Sequence, residues 1–540
     1  MATFALRSVP DGLRNRYLAE GWWSDESLGD VVDRALLVAP DTPVHVWSED
    51  RPWVGTYADL HAEATRLVSV LRQAGIEAGD VVAFQLPNWR EAIVAFYGLA
   101  LGGYVLVPIV HIYGRKEVGF ILRQSGARAY LSAADFGHVD YVGIIDEEAS
   151  QLPDLALHLL ATAEATAPPA GLARIDWRAV DTAPPAERAR GLDPDDVVVL
   201  AYTSGTTSQP KGVMHTHRSL LAELVHMGPW VNPDQPNLMG SPVTHATGML
   251  GAVLSPISVG QPIHVIDRWD PSRVLDIILE ADVGAGTGAS FFLASLLNHD
   301  RFTPEHADRM ARIGLGGAPV PVALGEQAAG HGITIIRAYG STEHPSVTGC
   351  WWDDPAAKRH GTDGRPLDGV ELRLVDDDTD VAPGQPGEIL SRGPDLCMGY
   401  TDPTLTAAAF DADGWYRTGD MGVLDVDGFL TITDRIKDII IRGGENISAA
   451  EVEDAIAHLP AVAEVAVVAV PDDRLGERAC AVVRLAPGEA LTLDHLGRHL
   501  DGIGLARQKW PEELRVVDDF PRTATGKIRK VDLRQDLRAT

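Results

Sequence analysis

The chain of 540 residues is longer than one hydrophobic core usually grows, so length predicts roughly two to four domains. Its 45% apolar and 23% charged content is ordinary for a folded protein, and a formal charge of -30 works against a nucleic-acid surface, which needs a basic stripe. Cys350, Cys397 and Cys480 are far apart in sequence; they indicate neither a disulfide framework nor a zinc site and fit a reducing cytoplasm.

In chain order, the opening MATFALRSVPDGLRNRY lacks the continuous apolar core of a signal peptide. LHAEATRLVSVLRQAG reads as a helix and VVAFQL as a strand. Ala92 to Tyr113 carries no formal charge over roughly the length that spans a bilayer. Gly98, Gly102, Gly103 and Pro108 interrupt it, and Asn88 with Glu91 reads as a capping box opening a helix that stops near Gly102, with YVLVPI as a buried strand behind it. Ala161 to Pro185, rich in Ala and Pro, reads as a surface excursion with one short helix. VVVLAYT, PIHVI and ITIIRAYG are further strands, and SRVLDIILEA is a helix. The alternation predicts an α/β fold of helix-covered sheets. From about Gly414 the texture turns to hairpins, with an Asp427-Gly428 turn inside DVDGFLTITDR. Then Ala449 to His458 reads as a helix, AEVAVVAVPD and RACAVVRLA as strands, and a tail with Arg522, Lys527, Arg529, Lys530, Arg534 and Arg538 as a local basic patch. That order predicts a large N-terminal unit over 1–434 and a small α+β unit over 435–540.

Two segments carry phosphate chemistry on their own residues. VVVLAYTSGTTSQPKGVMHTH runs a β-branched strand into a Ser/Thr/Gly loop, where small residues let backbone N–H groups approach phosphate oxygens. The hydroxyls of Thr203, Ser204, Thr206 and Thr207 add donors, and Lys211 adds charge. The spacing is not that of a Walker A loop. IIRAYGSTEH delivers an aromatic, a glycine turn, two hydroxyls and a carboxylate, which suits adenine stacking by Tyr339, phosphate contacts from Ser341 and Thr342, and Mg2+ held through Glu343.

YTSGTTSQPKGV resembles the phosphate-loop signature of the adenylate-forming superfamily of acyl-CoA synthetases, luciferases and peptide-synthetase adenylation domains. TYADL at 56–60, GGAPVP at 316–321, YGSTE at 339–343, GWYRTGD at 414–420, DRIKDIIIRGGENISAAEVE at 434–453 and PRTATGKIRK at 521–530 follow in family order. The resemblance therefore spans nearly the whole chain. It implies an AMP-forming carboxylic acid-CoA ligase using ATP, Mg2+ and coenzyme A, with Gly205, Gly317, Ala318, Pro319, Ala338 and Gly340 completing the nucleotide site. By the same carry-over Asp420 and Arg435 meet the ribose, Thr206 joins Glu343 at the metal, and Lys527 bridges carboxylate and α-phosphate. Lys437 is the hinge of a mobile C-terminal domain, with Gly443 and Gly444 beside the pantetheine path. Ser208 stands where relatives usually have glycine. Ile441 stands where they are often basic, which shifts the CoA phosphates onto Arg442, Arg507, Lys509 or Arg529.

SPVTHATGML resembles the substrate-helix segment, with His245 beside the acyl path. No aspartate lies between Ser241 and Ile257 to meet an ammonium, which disfavours an α-amino acid. Gly288, Ala289, Gly316 and Gly317 leave room in the pocket wall. YGSTEHPSVTG, with Trp22 and Trp23, most resembles cyclohexanecarboxylate-CoA and medium-chain fatty acyl-CoA ligases. This ranks medium-chain or alicyclic acids first, ring-bearing steroid-derived acids second and aryl acids third. The alternative acceptor is the phosphopantetheine arm of a separate carrier protein; the chain running only thirteen residues past Lys527 favours CoA. The expected partners are a small carboxylic acid and CoA, with homodimerisation left open, no nucleic acid and no transmembrane segment.

Overall fold

The computed structural model describes residues 4–161, 167–203, 210–232, 234–435, 438–442, 445–472, 476–503, 505, 507–523 and 526–539. Its largest sheet has seven strands in the order Lys211–Thr216, Val197–Thr203, Val105–Pro108, Val81–Gln85, Ala129–Ser132, Leu157–Leu160 and Ala173–Asp176. All neighbours are parallel except the first pair, which is antiparallel. Val81–Gln85, Val105–Pro108 and Ala129–Ser132 are buried on both faces, which explains why they read as unbroken apolar runs. The helices Tyr57–Gln73 and Arg90–Gly102 pack against one another within the core around this sheet.

The uncharged stretch from Ala92 resolves as expected into the helix Arg90–Gly102, ended by Gly103 in the left-handed region, and the buried strand Val105–Pro108. No helix among the described residues is long and apolar enough to cross a membrane. The capping box is corrected: the N-cap is Trp89, without a side-chain cap. Asn88 instead donates to the carbonyls of Ser241 and Ile266 at 3.0 Å each and accepts the Val243 amide, while Glu91 pairs with Arg51. Asn88 thus fixes the chain entering the SPVTHATGML segment, a long-range role its spacing hid.

The Ala161–Pro185 reading is also corrected. Besides the short helix Arg178–Thr182 it supplies the sheet's edge strand Ala173–Asp176, with Arg174 and Trp177 buried.

A five-stranded sheet places Pro43–Trp47 beside Ile263–Ile266, and a four-stranded sheet pairs Arg312–Gly316 in parallel with Thr334–Tyr339. A five-stranded antiparallel sheet is then built from strands between Glu371 and Arg435, and its last hairpin turns at Asp427-Gly428 as expected. The helix Ala449–Ala457 and the strands Val462–Asp472 and Gly476–Leu485 also form where the sequence placed them. They share a separate core of Ile440, Val452, Val467, Val483 and Leu496. The chain is therefore a large N-terminal α/β domain followed by a small α+β one.

The basic tail is no open patch. Arg522 pairs with Glu464 at 2.7 Å, Lys530 with Glu453 at 2.7 Å, Arg529 with Asp532 at 3.0 Å, and Arg534 with Asp438. The tail's positive charge is largely spent on acids of its own domain.

Candidate active site

Thr203 ends its strand directly opposite Lys211. Ser204, Gly205, Thr206, Thr207 and Ser208 are outside the described residues. Lys211 Nζ is 5.5 Å from the centroid of the Tyr400 ring, and Tyr400 Oη donates to Glu343 Oε1 at 2.8 Å. Two segments singled out in the sequence are thereby joined through a residue that was not. The only hint of Tyr400 was its place in the aromatic-glycine pair Gly399-Tyr400, and pairing of Val213 with Tyr400 is what brings it in.

A second link is His215, whose Nε2–H donates to the Thr342 carbonyl at 2.8 Å. Burial lowers its pKa, so the ring is a neutral spacer between the Lys211–Thr216 strand and the Ser341–Glu343 turn. That turn requires glycine at 340: a Cβ there would be 1.8 Å from the Pro345 carbonyl oxygen. The Ser341 amide donates to the His344 carbonyl at 2.9 Å, closing the turn.

Tyr339 Oη donates to Asp420 Oδ2 at 2.7 Å, and both side chains are buried. Asp420 is the cross-strand partner of Arg435. The residues expected at the ribose thus share one end of one hairpin, with the expected adenine-stacking ring attached. Gly316 pairs with Ala338, which brings Gly317, Ala318 and Pro319 alongside the Tyr339 strand end.

Lys527 reaches this place from the other domain. A Cβ on Gly317 would be 3.9 Å from Lys527 Cε and 3.8 Å from Thr247 Oγ1. The Lys527 turn is held by its own amide donating to Thr523 Oγ1 at 3.1 Å and by the Thr523 amide donating to the Lys527 carbonyl at 2.8 Å. It rests on Phe291: the Arg522 guanidinium is 5.0 Å from the ring centroid, and a Cβ on Gly526 would touch the ring at 3.0 Å. Phe291 was missed because one Phe in FFLASLL looks like core.

His245 caps the short helix that follows it, accepting the Thr247 amide at Nδ1. Burial, then the positive charge of Lys527, pushes its imidazole down to about 3, so it is neutral at physiological pH. Beyond it the helix continues as a π-helix over Met249–Leu254, a geometry common at functional sites. Gly288 bridges to Leu315, and a Cβ on it would lie 3.3 Å from Ser241 Oγ, 3.6 Å from Thr247 Cγ2 and 3.8 Å from Phe292. Ala289 is buried beside it. Ser241 Oγ is itself buried without a hydrogen-bond partner among the described residues. Trp269 packs edge-on to Phe292 at 4.6 Å, forming an aromatic wall.

Lys437, Gly443 and Gly444 are outside the described residues. Of the basic residues considered for CoA, Arg442 pairs with Glu512, Lys509 with Glu451 and Arg529 with Asp532, while Arg507 lies over Trp510.

The arrangement fits a nucleoside triphosphate. Among the described residues it offers the buried Asp420 carboxylate on Tyr339, the Lys211 ammonium over Tyr400 beside Glu343, and Lys527 beside Gly317. Residues 32–401 match the AMP-binding enzyme family, and residues 451–527 match the AMP-binding enzyme C-terminal domain. The chain belongs to the AMP-binding enzyme family. This enzyme is 34% identical over 529 residues to a medium-chain fatty-acid–CoA ligase of Escherichia coli (strain K12), covering 97% of this chain and 93% of that one. It is 35% identical over 497 residues to a 3-[(3aS,4S,7aS)-7a-methyl-1,5-dioxo-octahydro-1H-inden-4-yl]propanoyl:CoA ligase of Rhodococcus jostii (strain RHA1), covering 89% and 93%. Its fold superposes on ATP-bound MatB from Rhodopseudomonas palustris with a TM-score of 0.81 at 26% identity, covering 95% of this chain and 99% of that one.

Proposed function

We propose that this enzyme is an AMP-forming acyl-CoA ligase. The carboxylate oxygen of the acid attacks the α-phosphorus of ATP and expels pyrophosphate. The thiol of CoA then attacks the acyl carbonyl and releases AMP. The observation that carries the reading is the closeness of Lys527 to Gly317, where a Cβ would lie 3.9 Å from Lys527 Cε, and to the buried His245, which supports a lysine ammonium working between nucleotide and acid.

In this reading Asp420 and Arg435 hold the ribose and Lys211 the phosphates, with the Thr203–Thr207 loop. Lys527 stabilises the negative charge that grows between carboxylate and α-phosphate, and a preorganised cation in a site shielded from water does this without reorganising. Neutral His245 positions the acid without competing for its charge. Glu343 fits a magnesium ligand: Tyr400 fixes one oxygen, and the other accepts no hydrogen bond among the described residues. With Thr206, it would hold an ion that screens the phosphate charge. The two-unit division near 434/435, with Lys437 as pivot, lets the small domain serve both half-reactions in turn.

For the acid, the surroundings of Gly288 are Thr247, the Phe292 ring and the Ser241 hydroxyl, which has no hydrogen-bond partner among the described residues. That lining supports a medium-chain or alicyclic acid, then a ring-bearing acid whose own oxygen meets Ser241, then aryl acids. The named substrates of the Escherichia coli and Rhodococcus relatives bracket the first two. A panel of acids assayed for CoA-dependent AMP formation tests this. Acyl-AMP formation with no thioester from any acid would move the acceptor to a carrier protein, and absence of acid-dependent pyrophosphate exchange would reject ligase chemistry.

A further inference from the structure

Behind the Ser341–Glu343 turn, the helix His217–Met227 carries Glu223 and His226 one turn apart on one face. Both are buried, and Asp395, from the turn after Arg392, is wholly so. One ligand atom from each lies within 4.8 Å of the other two.

The outer sides of the three groups are fixed by hydrogen bonds. Ser346 Oγ donates to Glu223 Oε1 at 2.6 Å, and the Ser346 amide donates to Asp395 Oδ2 at 3.2 Å. His226 Nε2–H donates to the Asp368 carbonyl at 2.8 Å, which leaves Nδ1 an electron-pair donor facing Asp395 Oδ1 at 3.5 Å. His344 also approaches Asp395 Oδ1, at 3.1 Å through Nε2, while its Nδ1 is paired with Ser391 Oγ. On the inner side, Glu223 Oε2 and His226 Nδ1 have no geometric hydrogen-bond partner among the described residues, although a protonated Glu223 carboxyl can share its proton with Asp395. Electron-pair donors converging in a dry interior repel one another unless a metal cation or a proton is shared between them.

We propose that Glu223, His226 and Asp395 form a buried site for a divalent transition-metal ion, with zinc the best fit. Two carboxylates balance a charge of two, and with an imidazole nitrogen the set suits a borderline ion better than calcium or magnesium, which prefer oxygen alone. An imidazole whose second nitrogen donates to a backbone carbonyl is oriented as metal-bound histidines are. A triangle with sides of 4.8 Å has its centre about 2.8 Å from each corner, so bonds of about 2.0–2.2 Å need only a small inward rotation of the side chains. The ion would pin the helix to the turns at His344–Ser346 and Gly393–Leu396, which back the catalytic Glu343 turn. The site shares no residue with the proposed magnesium position.

The test is metal content of the full-length protein, made without an affinity tag, folded in zinc-supplemented medium and dialysed against a mild chelator. The expected result is one zinc per chain by elemental analysis and native mass. An absorption-edge spectrum should show nitrogen and oxygen neighbours and no sulfur. Glu223→Gln and His226→Gln should each take the content from one ion to none. A chain of metal-free mass, with a melting temperature unmoved by added zinc, would overturn the proposal and leave a proton shared between Glu223 and Asp395. Zinc that dialysis removes, or that survives both substitutions, would overturn it as well. If either variant fails to fold, stoichiometry and spectrum of the parent protein decide alone.

Discussion

Tyr400 Oη donates a 2.8 Å hydrogen bond to Glu343 Oε1 while its ring faces Lys211 Nζ, so one side chain couples the carboxylate of one motif to the lysine of another. Tyr400→Phe keeps the ring and removes the bond. A hydrogen bond to a charged group contributes about 1.5–3 kcal/mol, so acid-dependent pyrophosphate exchange should fall roughly 10- to 100-fold at limiting Mg2+. The half-saturating Mg2+ concentration should rise with it. Exchange unchanged at every Mg2+ concentration would remove Tyr400 from the site.

Lys527 should matter to only one half-reaction. Removing one preorganised charge donor typically costs about 100- to 1,000-fold in rate, and that loss is expected for Lys527→Ala in pyrophosphate exchange. Thioester formation from supplied acyl-AMP should be nearly unaffected. Phe291→Ala removes the ring on which Arg522 and Gly526 rest, so it should slow the same half-reaction by a smaller factor and leave the other alone. Equal losses in both half-reactions would mean Phe291 serves folding rather than the placement of Lys527.

What the sequence made legible was local. The strand entering Thr203, the turn after Tyr339 and the final Lys527 turn are each contiguous, and glycine, hydroxyl and charge declare themselves within a few residues. The links between them were not legible. Tyr400, His215 and Phe291 act through partners far along the chain, and no period or spacing encodes such a pairing. Asn88 shows the converse error: a spacing that matched a capping box belonged to a side chain occupied by Ser241 and Ile266. The basic tail shows a third, since charge counted along a chain says nothing of the acids opposite it.

The acyl pocket should be tunable at its aromatic wall. Phe292 lies 3.8 Å from where a Gly288 side chain would start and packs against Trp269. Phe292→Leu shortens the wall without opening a cavity as large as alanine would leave. A group of one methylene in such a pocket is worth about 1–3 kcal/mol, so the ratio of kcat/KM for longer or ring-bearing acids over short ones should rise at least about 10-fold. An unchanged ratio across a saturated acid series would place the acyl chain elsewhere.

Acid should destabilise the fold through buried neutral histidines. His158 Nδ1 accepts from Arg174 Nε at 3.2 Å, His217 Nδ1 accepts the Leu28 amide at 2.9 Å, and His264 Nδ1 accepts from Trp47 Nε1 at 3.3 Å. Protonation would break each bond, and burial pushes these rings down to about 3, about 4 and about 4 from an ordinary 6.5. The unfolded chain therefore binds more protons below 6.5, so stability is full above that pH and falls as pH drops toward the folded values. Each histidine adds up to about 1.4 kcal/mol per pH unit to the slope. Urea unfolding between about pH 7 and about pH 4 should show stability declining with acid, and His158→Gln, which can still accept from Arg174, should flatten the decline by one proton. A slope the same in His158→Gln as in the parent would mean that His158 already carries its proton when folded.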